Sequence, residues 1–114
     1  MSLEGSLFST LGPLAGNRVY PDVAPSGATL PRITYQQVGG VSVDSLEIGR
    51  VGHRNARIQI SVWAATRTVA SALARAVEDA LMGSLAATAI GAMVSDHEPD
   101  TNLYGCRQDF SIWY

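Results

Sequence analysis

Few residues in this chain have the type and spacing to do chemistry. Asp96-His97-Glu98, with Asp100 close behind, is the one cluster of metal-ligand or acid–base side chains. On an extended strand Asp96 and Glu98 share a side while His97 faces the other, so the three converge on one ion only if the backbone bends. Their spacing matches no zinc or calcium pattern, and a solvated turn leading into a hairpin accounts for them. His53 stands beside Arg54, and a positive neighbour disfavours a ligand role. Cys106 alternates in register with Phe110 and Ile112, which reads as a small buried hydrophobe rather than a nucleophile. As the single cysteine, it also excludes an internal disulfide and any cysteine-based zinc site. No serine lies in a G-x-S-x-G elbow. The chain has no lysine, so no phosphate loop ending in lysine exists. These residues point to a protein that is not an enzyme and needs no metal or cofactor.

The elements that must position any site belong to one domain of 114 residues. Hydrophobic residues make up 46% and charged residues 16%, which excludes a disordered or fibrous chain. Eight arginines against ten acids leave a net charge of −2, without the basic excess of a dedicated nucleic-acid binder or of a protein that seeks anionic lipid. The longest charge-free run, Ala80 to Ser95, is sixteen residues and falls short of the roughly 20 that span a bilayer. Met1-Ser2-Leu3-Glu4 does not resemble a secretory signal, so a soluble cytoplasmic protein is the expectation.

Leu3, Leu7, Leu11 and Leu14 recur at helical spacing until Gly12-Pro13, predicting a short amphipathic helix over 2–11. A proline- and glycine-punctuated connection follows from Gly16 to Pro31, with at most a short strand near Val19-Tyr20. Arg32 to Val38 alternates as a strand. Arg57 to Ala64 is the clearest strand, with Ile58, Ile60, Val62 and Ala64 on one face and Arg57, Gln59, Ser61 and Trp63 on the other. The connection over 39–54 carries four glycines and is expected to be mobile. Thr66 caps a helix whose apolar stripe is Val69, Ala72, Leu73, Ala76, Val77, Ala80 and Leu81, with Gly83 as its stop and Arg67, Arg75, Glu78 and Asp79 on the wet side. A strand over Ala92 to His97, a turn over Glu98 to Asn102 and a final strand from Cys106 to Tyr114 complete the chain. The order α-β-β-α-β-β predicts an α+β domain, an antiparallel or mixed sheet of four or five strands with two helices on one face.

Two surface features stand out. Trp63 and Trp113 fall on the polar faces of their strands, beside Arg57, Gln59, Arg107 and Asp109, and tryptophan with arginine is the signature of protein–protein hot spots. Arg50, Arg54 and Arg57 run from the connection into a strand, where their planar forks suit carboxylates of another subunit, and Asp44 and Glu47 could pair across the same boundary. The candidate interface is therefore Trp63, Trp113, Arg50, Arg54, Arg57, Asp44 and Glu47.

Taken in order, the leucine helix, Arg18-Val19-Tyr20-Pro21, Ala24-Pro25-Ser26-Gly27, Leu30-Pro31-Arg32-Ile33-Thr34-Tyr35, the variable glycine-rich connection, Arg57 to Ala64, the alanine-rich helix and Arg107 to Tyr114 resemble the tail-completion or tail-terminator proteins of long-tailed bacteriophages and prophages. The resemblance covers nearly the whole chain. It implies a structural subunit of the virion tail, built in the host cytoplasm, that forms a homo-oligomeric, hexameric ring on the head-proximal end of the tail tube. The implied partners are further copies of the chain, the tail tube protein and the head–tail connector proteins. DNA passes through such a ring without being read, and no membrane is involved. The family carries no catalytic motif. The alternatives are a head-side connector or stopper ring, a small hydrolase holding a metal through Asp96, His97, Glu98 and Asp100, or a cytoplasmic binding module unrelated to phage.

Overall fold

The computed structural model describes residues 2–42 and 54–114. Helix α1 (Leu3–Leu11) starts where Ser2 Oγ accepts a hydrogen bond from the Gly5 N–H at 3.0 Å, and its leucines Leu3, Leu7 and Leu11 are buried. A single 3-10 turn, Gly12–Leu14, follows. Strand β1 (Val19–Pro21) runs parallel to β2 (Arg32–Gly39), so the short strand near Val19-Tyr20 does form. The Arg18 side chain fastens this pair, its Nε donating to Pro31 O at 2.9 Å. Strand β3 (Asn55–Ala64) pairs antiparallel with β2, and α2 (Arg67–Ser84) follows under a Thr66 cap. Strands β4 (Ala86–Glu98) and β5 (Leu103–Trp113) close the fold as a hairpin.

The fold is α+β, a mixed five-stranded sheet in the order β1-β2-β3-β5-β4 with α1 and α2 on one face. Period-2 alternation explains the core. Ile58, Ile60, Val62 and Ala64 of β3 and Cys106, Phe110 and Ile112 of β5 are buried beneath the helices, along with Ile33. Their neighbours in sequence form the opposite, helix-free face.

Four expectations need correction. Strand β4 begins at Ala86, not Ala92, because pairing with β5 holds an alanine-rich segment extended where local preference is weak. Correspondingly α2 runs through Gly83, and the helix ends where Leu85 turns extended to enter the strand. The buried stripe of α2 is Ala70, Leu73, Ala74, Val77 and Leu81, while Val69 and Ala72 are exposed. An alanine-rich helix leaves its rotation open in sequence, and the buried face is the one that seats Ala70 and Ala74 on the sheet. Finally, Arg67 and Glu78 are not on the wet side. The Arg67 guanidinium donates to Gly105 O at 2.7 Å and to Asp96 O, and lies 5.5 Å from the Tyr104 ring. Glu78 accepts from the Gln108 amide at 2.9 Å.

Candidate assembly interface

On the helix-free face, register places side chains in rows that cross the strands. Arg32, Trp63, Gly105 and Asp96 form one row; Thr34, Ser61, Arg107 and Val94 the next; Gln36, Gln59, Asp109 and Ile90 a third. The far end carries Asn55, Trp113 and Ala86. The surface is polar through its middle, with apolar groups toward β4 and at its two ends.

Trp63 and Trp113 share this face, but not a patch. Trp63 lies opposite Gly105, and Trp113 follows eight residues later, so about 26 Å of strand separates them. Trp63 is half-buried because its ring covers the bare backbone of Gly105. A Cβ there would come within 2.7 Å of the ring carbons Cε3 and Cζ3. Trp113 is 41% exposed. Arg57 does not wait for an external carboxylate: its Nε donates to Asp109 Oδ2 at 2.8 Å, and Gln59 donates to the other oxygen at 3.2 Å. Arg107 reaches Asp96 Oδ2 at 3.4 Å. These exposed pairs set side-chain direction more than stability. Arg54 is exposed, and its backbone exchanges both hydrogen bonds with Tyr114. Asp44, Glu47 and Arg50, with most of the 39–54 connection, lie outside the described residues. The base of that connection is described. Val41 N–H donates to Asn55 Oδ1 at 2.8 Å, and Asn55 Nδ2 donates to Ser111 Oγ at 2.9 Å.

The acidic cluster is dispersed as strand geometry demands. Asp96 faces Arg107 on the helix-free side. The His97 ring sits 4.8 Å from the Tyr104 ring, with Nε2 2.9 Å from Asn102 Oδ1. Among the described residues no group of three His, Cys, Asp or Glu side chains is placed to hold a metal. Cys106 is buried with its sulfur 3.3 Å from an Arg67 donor.

Concavities also open among the described residues. One, of about 220 Å³, lies between α1 and β2 and is lined by Leu3, Leu7, Glu4, Asp22, Tyr35 and Ile58 among others. Burial raises the Tyr35 hydroxyl pKa, and the Glu4 and Asp22 carboxylates push it the same way. Another, of about 170 Å³, is bounded by Trp63, Arg32, Thr34, Asp22 and Glu98. Sequence reasoning missed Ile90 and Val94, 38% and 48% exposed on the helix-free face. Their spacing from Thr88 carried an alternation signal that a bulge interrupts after Ile90. There Gly91 takes φ +75°, and its carbonyl accepts from buried Gln108 at 2.9 Å.

Among the described residues no helix is long and apolar enough to cross a membrane. The model of one family, Tail completion protein gp17, matches residues 9–114. No curated protein matches. Among solved structures, a chain from the virion of a native gene transfer agent particle shares the fold with a TM-score of 0.51 at 17% identity, over 98% of this chain and 93% of that one. The family match takes in every strand, α2 and the end of α1. The chain belongs to the tail completion protein gp17 family of phage tail structural proteins.

Proposed function

We propose that this chain assembles with copies of itself into a ring, six-membered by resemblance to tail terminators, which caps the head-proximal end of the tail tube. The ring ends tube polymerisation and offers the surface to which the filled head joins. The observation that carries this reading is the family match across 106 of the 114 residues, 9–114. The composition supports it as well. A near-neutral chain in which Arg57 and Arg107 of the helix-free face meet Asp109 and Asp96 would let DNA pass through a lumen without gripping it. Trp63, Trp113, Arg54 and Arg57, together with Arg50, Asp44 and Glu47 of the connection, are the proposed contacts with neighbouring subunits, the tail tube protein or the connector. The proposal includes contact between the 39–54 connection and a neighbour. The single test is electron microscopy of tails assembled with and without the protein. Overlong tails in its absence are expected. Tails of normal length that still fail to join heads would move the ring to the head side, as a connector or stopper.

A further inference from the structure

The cleft between α1 and β2 is apolar at its floor and acidic at its rim. Leu3, Leu7 and Ile58 line it and are buried, whereas Glu4 and Asp22 line it and are exposed. The two acids come from different elements. Glu4 belongs to the first turn of α1, and Asp22 directly follows β1, where its N–H donates to Tyr35 O at 2.8 Å. Tyr35 also lines the cleft, and both carboxylates raise its hydroxyl pKa, so their fields overlap there. No arginine or histidine is among the described residues that line it.

Neither acid meets a counter-charge. Asp109 and Asp96 on the helix-free face pair with Arg57 and Arg107, but among the described residues no cation lies within ion-pair distance of Glu4 or Asp22. The size and chemistry of the cleft then limit its occupant. At about 220 Å³ it is small against the roughly 300–1,000 Å³ of pockets that enclose a whole small molecule, and suits a single side chain. An anion would be repelled. A purely apolar side chain would strip water from the carboxylates without replacing it. A bare metal ion would leave the apolar floor unused, and among the described residues no three ligand side chains are placed to hold one. Lysine and arginine have an aliphatic stem for the floor and a cationic head for the rim.

We propose that this cleft docks a lysine or arginine side chain presented by a neighbouring protein of the tail. The stem lies against Leu3, Leu7 and Ile58, and the head meets Glu4 and Asp22. The floor belongs to the side of the sheet that carries the helices, so the contact is additional to Trp63 and Trp113. Exposed ion pairs are individually weak, and this is one contact among several that hold a neighbour. The cleft is formed within one chain and stands whether or not copies close into a ring.

The test uses the full chain and n-butylguanidinium, an arginine head on a short stem, with n-butylurea as its neutral match. Amide NMR shifts at Leu3, Glu4, Asp22, Tyr35 and Gln37 should saturate with the cation. The urea should bind about fivefold more weakly or worse, the order expected when an exposed charge pair is lost. The double variant Glu4→Gln, Asp22→Asn should weaken the cation to a similar degree and keep its circular dichroism, since both side chains are exposed. Each single variant should show part of that loss, which keeps the test open should the double variant fold poorly. Shifts that do not saturate overturn the proposal. So does equal binding of cation and urea, or cation binding indifferent to the variants. Shifts at the same residues that grow with protein concentration alone, and vanish in the double variant, would support it. They would identify the occupant as an arginine of a second copy, because the chain has no lysine. A chain that forms no ring leaves all of these outcomes unchanged.

Discussion

Gly105 and Trp63 show how one missing side chain fixes another. The indole ring occupies the space over the glycine backbone that a Cβ would claim at 2.7 Å. Gly105→Ala is therefore expected to cost about 1–3 kcal/mol, the usual range for overpacking. The cost should shrink in a Trp63→Ala background, since the two positions share one volume. Urea unfolding of the four chains of that cycle measures the coupling. Tyr35 has a different signature. Its pKa is raised by burial and by the nearby carboxylates of Glu4 and Asp22, so the native state holds the proton more tightly than the unfolded chain does. The associated stability is fully present below the ordinary tyrosine pKa and is lost as pH rises through the raised native value. Melting followed across the alkaline range should fall less steeply for Tyr35→Phe than for the parent chain.

At the scale of elements, the hairpin of β4 and β5 is held to α2 by two polar contacts that residue type did not advertise. Gln108, buried in β5, gives one amide to Glu78 of α2 and to the carbonyl of Gly91 in the β4 bulge. Gln108→Leu keeps the volume but leaves that carbonyl under-satisfied, and should cost about 1–3 kcal/mol. Faster amide exchange around Gly91 to Met93 than in the rest of β4 would identify the bulge as the part that loosens. Arg67 acts similarly at the other end of the hairpin, binding carbonyls of both strands. These contacts were hidden in the sequence because a polar residue on a helix reads as solvated, while a long side chain can lie along the surface and reach a neighbouring strand. The alternations in β3 and β5 were legible for the opposite reason. A strict period of two assigns each side chain to a face without knowledge of any partner. The start of β4 was not legible, since alanine and glycine have little strand preference of their own.

For the molecule as a whole, the faces could be read but the register could not. Sequence put Trp63 and Trp113 on one side of the sheet, and they are there. Their separation of about 26 Å depends on which residues of β3 and β5 face each other, a relation between segments some fifty residues apart. The two tryptophans should consequently act independently. Trp113→Ala is expected to leave circular dichroism unchanged and weaken assembly by about 2 kcal/mol or more, the range of a hot-spot truncation. For Trp63→Ala the same loss should come with a lower melting temperature, because its ring also packs on Gly105. Sedimentation and thermal melting of both variants separate the two effects.

The position of β5 has a consequence for how the protein comes into being. It is the last strand of the sheet to be synthesised, yet it lies between β3 and β4 and bonds to both. Until Leu103 to Trp113 has left the ribosome, β3 has only β2 and the short β1 beyond it, and β4 has no strand to pair with. A two-stranded ribbon with a fragment at its edge is marginal in water, so the sheet stays open until β5 has been made and can enter between β3 and β4. Premature termination before Leu103 therefore yields chains unable to fold, which removes them from assembly instead of admitting defective subunits to it.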